Sequence, residues 1–177
     1  MFRSEEETAS ARHGAGFQET DREKQMQYTE GTIGRVFVLR LEDGEVLNDT
    51  IELFAREHAV AWALVTFLGG SAGGSRVVVG PDTAQPNTVV PLVHTMEGSR
   101  EALAVGTLIR SETGEPMLHM HAAAGREGGA TVGCTRAGVE VWLVGEVVIQ
   151  EIVGVDAQRV TDPATGFGLL QVRPRSL

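Results

Sequence analysis

The sequence has a single cysteine, Cys134, and a single lysine, Lys24. One thiol cannot form a disulfide within the chain, a usage typical of reducing compartments, so we expect a cytoplasmic protein. The formal net charge is −9. Because non-specific DNA binding depends on clustered lysine and arginine, this balance argues against a simple electrostatic grip on nucleic acid, and equally against an anionic membrane surface.

Long apolar runs are also lacking. The longest, residues 59–68, is far shorter than the roughly 20 residues that a membrane-spanning helix needs. The first ten residues are acidic and show no apolar segment of a secretory signal. We therefore expect no membrane partner.

Residues 1–30 contain no valine, isoleucine or leucine. Such a composition cannot bury enough apolar surface to offset the conformational entropy of the chain. The sequence therefore predicts a flexible polar arm at residues 1–30, a domain at residues 31–155, and a C-terminal extension at residues 156–177 that packs on the domain.

The apolar pattern of the remaining chain favours an α+β fold. The segment GRVFVLRLE alternates like a strand, and NDTIELFAREHAVA has helical spacing, with Asp49 as its predicted N-cap and Glu52 as the capping-box partner. Short strand-like runs follow, and residues 99–103 are expected to form a short helix. One main helix after the first strand, then many strands, predicts a central, largely antiparallel sheet.

The stretch PMLHMHAAAGR carries two of the five histidines. Alternate residues of a strand face the same way, so His119 and His121 share a face and lie about 7 Å apart along the strand. Two such imidazoles can converge on one divalent ion, although a catalytic zinc site usually has three protein ligands. The alternative is two polar residues on a half-exposed strand face.

Four residues, His94, Cys134, Glu146 and Glu127, are candidates to complete such a site. His94 ends an apolar run, and Cys134 offers a thiolate that suits zinc, although a lone cysteine is more often a small buried apolar residue. Glu146 interrupts an apolar run and needs a partner. Arg126 lies in the turn after the histidine strand and is a candidate for holding an anion.

A glycine-rich segment, GGSAGGS, follows the predicted second strand. A phosphate-binding loop requires Gly-Lys-Ser/Thr leading into a helix, whereas this segment leads into the strand-like RVVVGP. We therefore predict a connection between strands and no nucleotide cofactor.

The stretch from Gly31 to about Ile152 resembles the plants-and-prokaryotes-conserved (PPC) domain. The match is carried by GRVFVLRLEDGEVL, DTIELFAREHAV, AWALVTFLGGSAGGSRV and above all PMLHMHAAAGREGGATVGCTRAGVEVWLVGEVVI. The resemblance implies an α+β fold with a central antiparallel sheet, assembled as a homotrimer. The family is often described as DNA-binding, but its plant members use a separate Arg-Gly-Arg-Pro hook that this sequence lacks.

In some prokaryotic members the resemblance also implies a metal held by histidines, two of them from the His-x-His strand, which would be His119 and His121. The third comes from a Gly-Gly-His segment, and Thr135 stands at the position expected for it. Cys134 or His94 would then replace that ligand, with zinc or another divalent ion as the metal. Otherwise the site has become a small-molecule pocket.

Three functions follow from these patterns. The first is a trimeric, regulatory protein whose histidine site binds a divalent metal or a small ligand near a subunit boundary, with Arg126, Glu146 and Thr135 as ligand contacts. The second is an enzyme in which a metal-bound water, or Glu146 as a base, acts on a small anionic substrate held by Arg126. The third is a DNA-associated scaffold. The sequence does not decide whether the protein is an enzyme.

Overall fold

A computed structural model describes residues 26–82 and 89–173 of the chain. The predicted arm lies largely outside this part, as do the last four residues. The described elements, with a 3₁₀ turn at Thr135–Ala137 between β7 and β8, are β1 (Thr32–Glu42), α1 (Leu47–Glu57), β2 (Trp62–Ser71), β3 (Arg76–Pro81), β4 (Pro91–Thr95), β5 (Arg100–Arg110), β6 (Pro116–Arg126), β7 (Gly129–Cys134), β8 (Val141–Val153), β9 (Ala157–Thr161) and β10 (Gly168–Val172).

Eight of these strands form one sheet in the order β1-β8-β2-β5-β6-β7-β3-β4, and its pairs are antiparallel. Strands β9 and β10 form a separate antiparallel hairpin. The single α-helix of the described chain follows β1. The predicted α+β class, with a largely antiparallel sheet and one main helix after the first strand, is therefore confirmed.

The two faces of the sheet differ in what covers them. The inner face packs under α1, and its buried side chains form one core cluster that includes Leu47, Ile51, Val65, Met120 and Ile149. Residues of the opposite, outer face are exposed or half-buried, as the alternation of buried positions with exposed or half-buried ones along β6 shows. Because side chains alternate along a strand, one face of the sheet is buried beneath α1 and the other is accessible to solvent.

The start of α1 differs from the sequence-based expectation. The helix begins at Leu47 after Val46, with no side-chain cap, so Asp49 lies in the first turn instead of capping it. The reason is a tertiary anchor: Val46 forms a β-bridge with Glu140, and the Leu47 amide donates to the Val139 carbonyl at 2.9 Å.

Residues 99–103 do not form the expected helix, because β5 begins at Arg100. Residues 100–103 pair with β2 on one side, and residues 101–103 also pair with β6 on the other. Such two-sided pairing overrides a weak local helix propensity. Strand β9 was not anticipated by the sequence pattern.

Candidate metal centre

Strands β6 and β7 bring three potential metal ligands together. His119 and His121 both point to the outer face of β6, and His121 lies directly opposite Cys134 of β7 in the antiparallel register. One ligand atom from each of these three side chains lies within 4.8 Å of the other two. The Nε2 atoms of the two imidazoles are 3.2 Å apart.

These separations are close to those of a tetrahedral metal site. With zinc–nitrogen bonds of about 2.0–2.1 Å, two histidine ligands of one ion have nitrogens about 3.3 Å apart, which agrees with the 3.2 Å between the Nε2 atoms. A thiolate and an imidazole on the same ion are about 3.6 Å apart, so Cys134 Sγ is within a small side-chain adjustment of such a position. The donor set of two imidazoles and one thiol therefore fits a divalent ion such as zinc.

The site lies where β7 separates from β6. The pairing of these strands starts at His121, which leaves the preceding edge of β6 without a neighbouring strand. Side chains of α1 take its place: the Leu118 amide donates to Glu52 Oε1 at 2.8 Å, and Asn48 Nδ2 donates to the Leu118 carbonyl at 3.2 Å. Burial raises the pKa of Glu52 above its ordinary value. The helix thus fixes the strand segment that carries His119.

Thr135 belongs to this support and not to the ligand cluster. Its hydroxyl donates to Asn48 Oδ1 at 2.6 Å and lies 3.2 Å from the Met120 carbonyl, and the residue is fully buried. The family resemblance of the sequence places Thr135 at the position of the family's third histidine. The structure instead places Cys134 opposite His121, one residue earlier in the chain.

The other predicted site residues lie elsewhere in the sheet. His94 is exposed on β4, and Glu146 is exposed on β8; each of these strands is three positions from β6 in the strand order, or about 14 Å away across the sheet. Arg126, at the end of β6, donates from Nη1 to the Ser99 carbonyl and pairs with Glu127. The structure therefore brings together only His119, His121 and Cys134 of the predicted set.

Two arginines that the sequence reading missed, Arg136 and Arg159, line a cavity of about 830 Å³ together with the three ligand candidates. Arg136 follows Cys134 in the 3₁₀ turn, and Arg159 comes from β9. Burial lowers the pKa of His119, and the positive charges of Arg159, His121 and Arg136 lower it further. A neutral imidazole, the form that ligates metals, is therefore favoured at this position. No sequence motif identifies these arginines as site residues, because only tertiary contacts bring them to the cavity.

Comparison with known proteins identifies the fold and the family. The profile of the Plants and Prokaryotes Conserved (PCC) domain matches residues 28–153. No protein with a curated description matches the chain in sequence.

Solved structures of similar fold include a plant- and prokaryote-conserved (PPC) protein from Pyrococcus horikoshii, with 25% identity and a TM-score of 0.67 over 86% of this chain and 100% of the other. A metal-containing protein from Archaeoglobus fulgidus is 24% identical, with a TM-score of 0.69 over 82% of this chain and 99% of the other. A protein from Bacteroides thetaiotaomicron, provisionally named as DNA-binding, is 15% identical, with a TM-score of 0.65 over 80% of this chain and 97% of the other.

The profile match extends over most of the chain, from just before β1 to the end of β8. It includes the histidine strand and the cysteine opposite it. The chain therefore belongs to the Plants and Prokaryotes Conserved (PCC) domain family, the same PPC domain that its sequence motifs resemble.

Proposed function

We propose that the protein binds a divalent metal ion through His119, His121 and Cys134, and that the ion holds a small ligand in a regulatory role. The observation that carries this proposal is the convergence of the three side chains, whose ligand atoms lie within 4.8 Å of one another. A nitrogen and sulfur donor set selects zinc over magnesium or calcium, which prefer oxygen ligands.

Three protein ligands leave one position of a tetrahedral ion open. Structural zinc sites are usually closed by four protein ligands, whereas sites that accept water or an exogenous ligand keep a position free. The large cavity beside the cluster gives such a ligand room, since pockets for small molecules commonly enclose about 300–1,000 Å³. The geometry thus favours an open, ligand-binding ion over a purely structural one.

Catalysis assisted by Glu146 has less support. The carboxylate lies on β8, which is separated from β6 by β2 and β5 in the sheet. Glu146 cannot act as a base at the histidine cluster from that distance within one protomer, because a catalytic base must come within hydrogen-bond reach of the proton it takes. Metal-dependent ligand binding is therefore the function that we propose.

The metal content of the Archaeoglobus fulgidus relative is consistent with this proposal. The test is metal analysis of protein purified without a histidine tag, followed by replacement of the metal with cobalt(II). We expect stoichiometric metal and a thiolate-to-cobalt charge-transfer band that Cys134→Ser removes. His94→Ala, which alters an exposed histidine outside the cluster, is the matched control. Trace metal in the wild-type protein, or an identical cobalt spectrum in Cys134→Ser, would contradict the proposal.

We also propose that the chain assembles as a homotrimer through the outer face of its sheet. In the antiparallel register Leu68, Leu103, Ala123 and Val132 form one continuous row across β2, β5, β6 and β7. The three larger side chains of this row are each more than half exposed in the protomer. Contiguous exposed apolar surface is typical of protein interfaces.

Sedimentation measurements test this assembly. We expect a trimer for the wild-type protein and dissociation for Leu103→Asp, because a carboxylate in the row would have to be desolvated at the interface. Leu53→Asp places the same charge on α1, at a leucine that is also about half exposed, and should leave the trimer intact. A monomeric wild type, or equal dissociation of both variants, would contradict the assembly.

The described part of the chain has no helix long and apolar enough to cross a membrane. We propose a cytoplasmic location, because Cys134 must stay reduced to serve as a ligand. DNA association rests on the provisional name of the Bacteroides relative, and the net charge of −9 opposes it. A gel-shift titration at low salt, where electrostatic binding is strongest, should show no shift with the purified protein.

A further inference from the structure

The hairpin β9–β10 lies beyond the family match, which ends at residue 153, and sits beside the ligand cluster. It is joined to the sheet by a bridge between Arg159 and Ser111, and the Glu112 amide donates to the Arg159 carbonyl at 3.0 Å. Gly168 lies so near Met117 that a Cβ placed there would be 3.3 Å from Met117 Cε. The hairpin therefore covers the outer face at the start of β6.

Arg159 is a buried cation: burial lowers the pKa of its guanidinium, and the negative charge of a Cys134 thiolate opposes that shift. Only 9% of the residue is exposed, and it forms no ion pair with any carboxylate of the described chain. Its Nη1 donates to the Gly168 carbonyl and its Nη2 to Thr107 Oγ1, each at 3.1 Å, while its Nε has no hydrogen-bond partner among the described residues. Because Thr107 is the cross-strand neighbour of His119, the guanidinium lies against the strand pair that carries the cluster.

Arg136 supplies a second positive charge in the same cavity. Its guanidinium lies over the ring of Phe167, 5.6 Å from the ring centroid, so the tip of the hairpin holds it beside the cavity. Within the described ranges Arg136 likewise has no ion pair. Arg136 and Arg159 line the same cavity as His119, so both cations lie beside the cluster.

The carboxylates of the same cavity do not neutralise these arginines. Asp49 and Glu52 also line it, but Glu52 accepts the hydrogen bond of the Leu118 amide, and neither forms an ion pair with Arg136 or Arg159. Of the two arginines only Arg159 is buried, and buried charges in proteins are ordinarily paired, since an unpaired one loses its hydration without compensation. A divalent ion held by one thiolate and two neutral imidazoles would add a further net positive charge, which makes an anion at this place more favourable still.

We propose that Arg136 and Arg159 form an oxyanion site next to the His119, His121 and Cys134 cluster, and that it binds the carboxylate or phosphate group of a small molecule. Arginine suits this role because its planar fork of N–H donors matches both groups. The inference deepens the proposed function and rests on it only for the contact between the bound oxyanion and the metal ion.

Isothermal titration calorimetry of the full chain tests the site, with inorganic phosphate and citrate as the two probes. Both are titrated into metal-free and zinc-loaded protein in a buffer without other multivalent anions. We expect saturable binding of at least one probe to the metal-free protein, and weakening by about tenfold or more in Arg136→Gln and Arg159→Met, because each loses a charge-assisted hydrogen bond. Tighter phosphate binding assigns the site to a phosphate group, and tighter citrate binding to a carboxylate.

Arg40→Gln is the control, since it removes an exposed arginine of β1 that lies outside the cavity. Circular dichroism melting shows whether Arg159→Met still folds; if it does not, the exposed Arg136→Gln decides the result alone. Absence of saturable binding in the wild-type protein overturns the proposal, as does binding by Arg136→Gln that equals that of the wild type, or a loss in Arg40→Gln as large as in Arg136→Gln.

Metal uptake is measured on the same preparations, which separates this inference from the proposed function. Arginine-dependent anion binding by a protein that takes up no zinc would leave the oxyanion site standing and refute the metal site. Zinc uptake without binding of either anion would support the metal site and refute the oxyanion site.

Discussion

The two faces of β6 share one backbone and serve opposite purposes. Leu118, Met120 and Ala122 point into the sealed layer beneath α1, while His119 and His121 point to the opposite side. The inner side chains are apolar and close-packed, so they supply stability. On the outer side, His119 and His121 are the proposed metal ligands, and the positions of their donor atoms depend on the packing one residue away.

The two buried charged residues of the described chain, Glu151 and Arg159, also differ, because only one of them has an ion-pair partner. Glu151 of β8 pairs with Arg35 through a 2.6 Å contact, whereas Arg159, at the outer face, donates its hydrogen bonds to a carbonyl and a hydroxyl. A paired buried charge stabilises the fold. We propose that the unpaired charge of Arg159 marks the site of a bound anion.

The largest expected effect is the loss of stability caused by a substitution on the inner, buried face of β6. Met120 is fully buried in the core, so Met120→Ala should lower the free energy of unfolding by about 2–5 kcal/mol through lost transfer energy and the cavity left behind. Urea denaturation of the metal-free protein measures this. Met117→Ala, on the outer face of the same strand, is the matched control and should cost about 1 kcal/mol or less. Equal losses would show that the two faces are not distinct in packing.

Zinc should stabilise the protein through the outer face. A ligand that binds only the folded state at 100 times its Kd adds about 2.7 kcal/mol to the free energy of unfolding. We expect this gain in the wild-type protein and its loss in His121→Ala, whose metal-free stability should remain close to that of the wild type. The readout is the urea midpoint with and without zinc. A zinc-dependent gain of the same size in His121→Ala would place the metal elsewhere.

Thr135→Val should lower both the stability of the protein and its affinity for zinc. The substitution keeps the shape but removes the hydroxyl that donates to Asn48 Oδ1, which leaves a buried acceptor unpaired at a cost of about 1–3 kcal/mol. Because Thr135 follows Cys134 directly, zinc affinity should also fall, by about tenfold, as it does when outer-shell partners of metal ligands are lost. Competition with a chromophoric chelator measures the affinity. An unchanged affinity would mean that this network does not orient Cys134.

The fold was predictable from the sequence because period-2 alternation and one helical segment are local signals. The shared face of His119 and His121 followed from the same alternation. The sequence left the third ligand open among Cys134, His94 and Glu146. The cross-strand register, which the sequence does not show, favours Cys134, because it lies opposite His121, whereas Thr135, one residue on, bonds to Asn48.

The sequence also could not show how many strands separate His94 and Glu146 from the histidine strand. Nothing in the spacing of His94 or Glu146 shows that β4 and β8 each lie three strands from β6, because strand order arises from long-range pairing. The position of Arg159 in the cavity could not be predicted for a related reason. It stands in a short hairpin strand with no motif around it, and only its contacts with Thr107 and Gly168 bring it to the cavity.

The smallest expected effect concerns the paired charge, Glu151. Its hydrogen bond with the Arg35 side chain lowers the pKa of the carboxyl below its ordinary value. A group with a depressed folded pKa stabilises the protein fully above its unfolded pKa, about 4.3 for glutamate, and this contribution is lost as the pH falls through the folded value. Glu151→Gln should therefore lower stability modestly at pH 7 and flatten part of the decline in stability below about pH 4.3.

Thermal melts of wild type and Glu151→Gln between neutral and acid pH measure this change. Glu115→Gln is the matched control, because Glu115 also pairs with an arginine but is exposed, and exposed pairs contribute little. If the two variants lose stability equally at neutral pH and keep the same acid slope as the wild type, then burial does not distinguish Glu151. The contrast drawn with Arg159 would then lose its basis, since a buried charge in this protein would gain nothing from a partner.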